Sequence, residues 1–294
     1  MLIVNCEMWK EIETAIAAVT TKPFRIENRR SVGGGCINQG YQISGNNDTY
    51  FVKLNSAQQV EMFAAEALGL QQMFATQTIR IPQPICWGTA ASSSYIVLEW
   101  LELGSRGGDK CWENMGRQLA AMHRAGGADR FGWERHNTIG STPQINTWTE
   151  NWADFFAEHR IGYQLKLAKG RGGNFPDTTK VVEAVRQSLG DTSPQPALVH
   201  GDLWSGNAAV TLDREPVIFD PATYYGDREV DLAMTELFGG FPAAFYRGYN
   251  EVWPLDPGYK KRKDLYNLYH ILNHFNLFGG GYGSQANYTI QQIL

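Results

Sequence analysis

Residues 200–220 constrain this chain more than any other stretch. They read His-Gly-Asp-Leu-Trp-Ser-Gly-Asn, then an apolar run (208–212), a polar turn (Asp213-Arg214-Glu215), a second apolar run (217–219) and Asp220. A strand, a turn and a returning strand fit this interval and would carry Asp220 back beside Asn207. Asp202 and Asn207 are five residues apart. A single Asp or Asn is an ordinary turn residue. Three polar side chains gathered around one short hairpin demand a different explanation.

Phosphoryl transfer supplies one. It uses an Asp that accepts the proton of the attacking hydroxyl, an Asn five residues on that holds Mg²⁺, and an Asp beyond the next hairpin that holds Mg²⁺ again. Asp202, Asn207 and Asp220 stand in that order. His200 reads as a structural residue that orients the loop, because Asp202 is better placed as the base.

The amino-terminal third carries matching parts. Gly33-Gly34-Gly35 lies between two predicted strands, where backbone without Cβ could approach phosphate oxygens. A plain hairpin turn would read the same way, and no Gly-Lys-Ser/Thr follows. Lys53 sits in the apolar strand 51–54, either facing water or reaching nucleotide phosphates. Its partner would be a Glu on the next helix. Glu66, thirteen residues on, is preferred to Glu61 because it is central on the Phe63/Leu70 face. Glu99 and Leu101, just after a strand, occupy the place where main-chain groups would meet adenine.

Helical periodicity marks Met8/Ile12/Ile16/Val19, closed by Pro23, and residues 58–75 with Phe63, Ala67, Leu70 and Phe74 on one face. Strands are predicted at 25–32, 38–43, 50–54, 85–88 and 95–99, with a hairpin turn at Gly45-Asn46-Asn47-Asp48. Beyond residue 103 the patterns are helical: 111–124, 148–169, 180–189, 231–236 and 260–278. Gly279 to Gly283 is expected to be irregular. His123, His270 and His274 read as helix-surface or core residues. Asp231 follows Asp220 by only eleven residues, which leaves no room for a phosphorylatable activation segment. Asp231 would be a helix N-cap or a brace for the catalytic loop.

Composition narrows the class. The chain has 294 residues, 43% hydrophobic and 19% charged, with a net charge of −4. That is an ordinary globular mix with room for two lobes. The one basic cluster, 260–263, reads as a solvated helix start, so no nucleic-acid partner is expected. No apolar run approaches the ~20 residues of a membrane span. Glu7, Lys10, Glu11 and Glu13 argue against a signal peptide, and the four cysteines match no metal pattern. A soluble cytoplasmic protein with reduced thiols is expected.

Over nearly its whole length the chain resembles the fructosamine (ketosamine 3-) kinases. The resemblance rests on residues 33–38, Phe131-Gly132-Trp133, 137–144, Trp152 with Phe155-Phe156, 200–207, 220–222, 225–234 and 238–241. The stretches 138–144 and 223–241 separate this family from aminoglycoside phosphotransferases and choline kinases, which share the fold. The resemblance implies an α+β, protein-kinase-like two-lobe fold. A small amino-terminal antiparallel sheet lobe (1–101) would bind nucleotide, and a larger, mostly helical lobe (102–294) would bind substrate. It implies use of ATP and Mg²⁺ to phosphorylate the 3-hydroxyl of a ketosamine, free or on a glycated protein, with loss of the sugar as the outcome. Every catalytic position is filled. The rival readings are an aminoglycoside- or choline-type phosphotransferase and a nucleotide-binding pseudokinase scaffold.

Three further residues follow from these readings. Trp204, inside the catalytic loop, either offers a flat face to substrate or anchors the loop from the core. Asp227 is a second candidate substrate residue. Cys36 follows the glycines, and other members of the family carry a cysteine there. It is a candidate redox site that could also link a normally monomeric chain into a disulfide dimer.

Overall fold

The computed structural model describes residues 2–33, 37–104 and 107–294. Helix α1 (Leu2–Thr20) leads into β1 (Asn28–Val32), β2 (Gln39–Gly45) and β3 (Asp48–Ser56). The β2–β3 turn places Asn46 and Asn47 at φ 53° and 67°. Both central residues of a tight hairpin turn need positive φ, which Asn tolerates. Then come α2 (Val60–Ala75), β4 (Pro84–Ala90) and β5 (Ser93–Glu99). The five strands form one antiparallel sheet in the order β1-β2-β3-β5-β4.

Strand alternation gives the sheet two jobs. Val52 and Leu54 of β3 pack with Ile12 and Ile16 of α1 in a small core. Phe51 and Lys53, pointing the other way, face the cleft below. Helix α2 belongs to the larger core: Phe63 and Leu70 pack there with Ile96 and Leu98 and with the helices that follow. Val19 and Phe74, expected on buried faces, are instead exposed. Each lies near the end of its helix, where the apolar stripe has run past its partner.

The remainder is mostly helical. In order come α3 (Asp109–Ala125), the hairpin β6 (Asn137–Ile139) and β7 (Thr142–Gln144), α4 (Trp152–Phe155), a π-helical stretch Phe156–Gly162, α5 (Tyr163–Gly170) and α6 (Thr178–Leu189). Next are β8 (Ala197–Val199), the hairpin β9 (Ala208–Val210) and β10 (Pro216–Ile218), β11 (Tyr224–Gly226), α7 (Glu229–Leu237), α8 (Ala243–Val252), α9 (Tyr259–Phe278) and α10 (Tyr282–Ile293). Strand β11 pairs with β8. The helix expected from 148 starts at Trp152, where the Asn151 side chain accepts the Asp154 N–H at 3.1 Å. The glycines at 279–281 end α9, but the chain resumes at once as α10 rather than staying irregular. Among the described residues no helix is long and apolar enough to cross a membrane.

Candidate active site

A cleft of about 790 Å³ lies beneath the sheet, and the sequence-predicted residues converge on it from both sides. Strand β3 delivers Lys53, which is buried. Its Nζ donates to Glu66 Oε1 at 2.6 Å and to Asp220 Oδ1 at 2.5 Å. Glu66 is therefore the helix partner; Glu61 pairs with Arg135 at the surface. Burial disfavours the Lys53 ammonium, but Asp220 and Glu66 beside it outweigh that and hold its pKa above the usual value. Burial pushes Glu66 upward against the pull of Lys53, with the Asp220 charge adding to the rise. Two carboxylates share one ammonium, so the cluster keeps an excess of negative charge.

Helix α7 and the core fix the loop that follows β8. The main-chain N–H groups of His200 and Gly201 donate to the two oxygens of Asp231 at 2.7 and 2.8 Å, and His123 Nε2 lies 3.0 Å from the same carboxylate. Asp231 is thus a brace within α7, not its N-cap. His200 Nδ1 accepts the Asp202 N–H at 3.2 Å. Its Nε2 must then carry the proton, which it donates to the Phe219 carbonyl at 2.9 Å. His200 is buried and neutral, its pKa lowered chiefly by desolvation, and it orients the loop.

The β9–β10 hairpin closes the triad. Ala208 pairs with Ile218, and Phe219 N–H donates to the Asn207 carbonyl at 3.1 Å. Asp220 comes back beside Asn207. Asn207 Nδ2 donates to the Asp202 carbonyl at 2.9 Å and to Asp202 Oδ2 at 3.3 Å, which turns its own Oδ1 away from these partners. Asp220 sits at φ 57°, a left-handed conformation uncommon outside glycine but one that Asp adopts more readily than most residues. Its side chain is 44% exposed to the cleft. Burial and the Asp220 charge push the Asp202 carboxyl up to about 7, with the Asn207 hydrogen bond opposing. An Asn amide oxygen and an Asp carboxylate are hard oxygen donors of the kind Mg²⁺ takes, two from protein and the rest from phosphate and water.

At the outer end, Glu99 and Leu101 line the cleft. The Glu99 carboxylate is held by Arg80 and accepts the Gln83 N–H at 3.3 Å, while the Glu99 N–H donates to the Gln83 carbonyl at 2.8 Å. Recognition of a base by Glu99 would fall to its carbonyl. The segment continues alongside β9: Leu212 N–H donates to the Glu102 carbonyl at 2.9 Å and Gly104 N–H to the Val210 carbonyl at 2.8 Å. Gly33 lines the cleft. Gly34, Gly35 and Cys36 lie outside the described residues. The cysteines that are described, Cys6, Cys86 and Cys111, are free thiols and lend a disulfide dimer no support.

Trp204 lies at the cleft surface, 38% exposed, and not in the core. The loop makes room for the flat indole at Gly206, where a Cβ would come within 2.3 Å of the ring. Asp227 is a correction. It is buried outside the main cleft, accepting the Tyr266 O–H at 2.6 Å and the Glu229 N–H at 3.0 Å, so its carboxylate is spent inside the fold. Sequence reasoning overlooked His270 and Asn273 of α9. Both are buried yet line the cleft, and burial holds the His270 pKa down at about 3. The signal was their helical spacing with His274, which also lines the cleft: positions 270, 273 and 274 share one face of α9.

The chain is similar to known proteins over nearly its whole length. The fructosamine kinase family model matches residues 8–294. A Synechocystis protein named as a ketoamine kinase is 65% identical over 286 residues, 97% of each chain. The chloroplastic protein-ribulosamine 3-kinase of Arabidopsis thaliana is 44% identical, covering 95% of this chain and 90% of its own length. A crystal structure from Haemophilus somnus, described as a fructosamine-3-kinase, superposes with a TM-score of 0.93 at 33% identity, covering 99% of both chains.

Proposed function

The chain belongs to the fructosamine kinase family, and from that premise we propose that it transfers the γ-phosphoryl group of ATP to the 3-hydroxyl of a ketoamine, with Mg²⁺. The observation that carries this reading is the convergence of Lys53, Asp220 and Asp202 on one cleft. Lys53, aligned by Glu66, would meet the nucleotide phosphates. Glu99 and Leu101 would offer main-chain groups to the base, and the strand end at Gly33 would cover the phosphates. Asn207 and Asp220 would hold Mg²⁺, which neutralises charge on the phosphate oxygens when bound. Asp202 would orient the sugar hydroxyl and accept its proton at a carboxylate oxygen. Positioning and electrostatics would do most of the work.

The charge inventory favours a ketoamine over an aminoglycoside. Among the described residues, most carboxylates lining the cleft are already engaged. Glu66 and Asp220 face Lys53, Glu99 faces Arg80, and Glu102 accepts the Trp100 Nε1–H at 2.7 Å. Few anionic groups remain for a cationic substrate, chiefly Asp202 and Glu102, whose one donor is a neutral indole. One amine on a sugar suits them better than a polycation. Trp204 would pack on the sugar or its amine.

Ribulosamines, named in plant relatives, are the preferred adduct in this reading. Breakdown of the phosphorylated product would free the amine, so the role is deglycation in the cytoplasm. The test is ADP release with fructosyl-lysine, ribulosyl-lysine, kanamycin and choline, with the product located by phosphorus NMR. Turnover of a ketoamine with phosphate on the 3-oxygen is expected. Turnover of kanamycin or choline alone would overturn the assignment.

A further inference from the structure

The β6–β7 hairpin carries a motif, Asn137 to Gln144, that none of the roles above uses. Its side chains reach the segment just beyond Asp220. Gln144 Nε2 donates to the Ala222 carbonyl at 3.0 Å, and Asn137 Nδ2 donates to the Thr223 carbonyl at 2.8 Å. Asn137 and Gln144 are cross-strand partners, so one pair of side chains grips two consecutive peptide units.

The grip is anchored in depth. Asn137 Oδ1 accepts from Gln144 Nε2 and from Asn146 Nδ2, each at 2.8 Å. Asn146 Oδ1 accepts from Arg160 Nη2 at 2.7 Å, and Gln144 Oε1 accepts the Tyr269 O–H at 2.7 Å. Gln144, Asn146 and Arg160 are buried. A guanidinium can only donate and a main-chain carbonyl can only accept, so the chain of bonds has one direction. No amide can flip without losing partners.

Arg160 itself is unusual. No carboxylate is within ion-pair distance of it among the described residues. It lies instead over the ring of Tyr224, 4.0 Å from the centroid, and donates to the Ile145 carbonyl at 2.5 Å. A buried cation so held is costly unless its donors and its aromatic contact are worth keeping. It projects from the π-helical stretch, a local insertion often found at functional sites. On the opposite side, α2 presses on the same segment at Gly69, where a Cβ would lie 2.8 Å from Thr223 Oγ1.

We propose that Gln144, Asn137, Asn146 and Arg160 form a positioning clamp for the magnesium-ligand segment, holding Asp220 in its left-handed conformation. With only ten residues between Asp220 and Asp231, no long segment is available to anchor that turn. The clamp does so through the Ala222 and Thr223 carbonyls, and α2 abuts the same segment at Gly69. This inference rests on the kinase reading of the cleft, but not on the identity of the acceptor.

The test is calorimetric binding of ADP to the full chain, with Mg²⁺ and with EDTA. Gln144→Met keeps the side-chain length and removes its polar atoms; Tyr269→Phe removes one hydroxyl. The Mg²⁺-dependent gain in ADP affinity should fall about tenfold or more in Gln144→Met and by a smaller factor in Tyr269→Phe, with metal-free ADP binding unchanged. A wild-type gain in both variants would overturn the clamp. If Gln144→Met does not fold, a wild-type gain in Tyr269→Phe does so alone. A wild-type protein with no Mg²⁺-dependent gain would instead sink the kinase reading itself.

Discussion

Lys53 Nζ and Asp220 Oδ1 lie 2.5 Å apart although 167 residues separate them in sequence. The contact joins the sheet above the cleft to the hairpin below it, and Glu66 completes it from α2. Lys53→Met should lower kcat by a factor of ~10² or more, because phosphate charge loses its fixed counterion. It also leaves Glu66 buried without its ammonium, and breaking such a pair costs about 3–5 kcal/mol. A fall in melting temperature, deepest at high pH where Glu66 must ionise, should accompany the lost activity. Wild-type kinetics would make Lys53 a bystander.

Asp202→Asn should cut kcat by a factor of ~10² or more while the KM for ATP stays within about twofold. In the wild type the base must be ionised, and its pKa is raised to about 7. Activity should therefore fall as pH drops below neutrality; bound Mg²⁺ near Asp220 would move the midpoint lower, never higher. A pH-independent kcat/KM between 5 and 8 would contradict the assignment.

Stability should move the opposite way at the same residue. The folded protein holds the Asp202 proton up to about pH 7, whereas the unfolded chain releases it near 3.8. The unfolded state binds fewer protons across that window, so raising the pH costs the wild type stability. Asp202→Asn removes the titration. Its metal-free melting temperature should exceed the wild type's at pH 8 and converge toward it near pH 4. Thermal scans at the two pH values decide this.

Trp204→Ala should raise the KM for a ketoamine by more than that for ATP. The ring is exposed in the cleft, so its loss should leave the melting temperature nearly unchanged. Equal effects on both substrates would remove it from the acceptor site.

Two glycine substitutions form a matched pair. A Cβ at Gly69 would collide with Thr223, whereas one at Gly170 meets nothing within 4 Å. Gly69→Ala should weaken turnover by pushing α2 off the segment behind Asp220. Gly170→Ala should leave turnover intact and raise stability by up to about 1 kcal/mol.

The hairpin from Asn207 to Asp220 was legible because spacing, turn residues and strand period all agreed, and the Lys53–Glu66 pair because only one Glu lay on the inward face of α2. Other features depend on tertiary partners. Asp227 was a candidate substrate residue, but Tyr266, 39 residues away, claims its carboxylate. Helix α8 is not among the helices read from the sequence. In the fold, Gly248 and Gly116 let α8 and α3 nearly touch: a Cβ would fall 1.9 Å from the Glu113 carbonyl oxygen or 2.0 Å from that of Phe245. The π-helical stretch 156–162 has no periodic signature of its own. The contacts of Arg160 within it, to Tyr224 and Asn146, become visible only in the fold.

The segment after β5 does not cross between the sheet and the helices as a loose strap. Through Glu102 and Gly104 it is stitched to β9, the strand that begins immediately after Asn207. Any pivot of the sheet over the helices must drag that strand with it. On the proposed reading, a base settling against Glu99 and Leu101 would lean on the same piece of backbone that positions Asn207. Grip on the nucleotide and aim at the phosphate become one mechanical property, tuned together by whatever stiffens or loosens those few main-chain bonds.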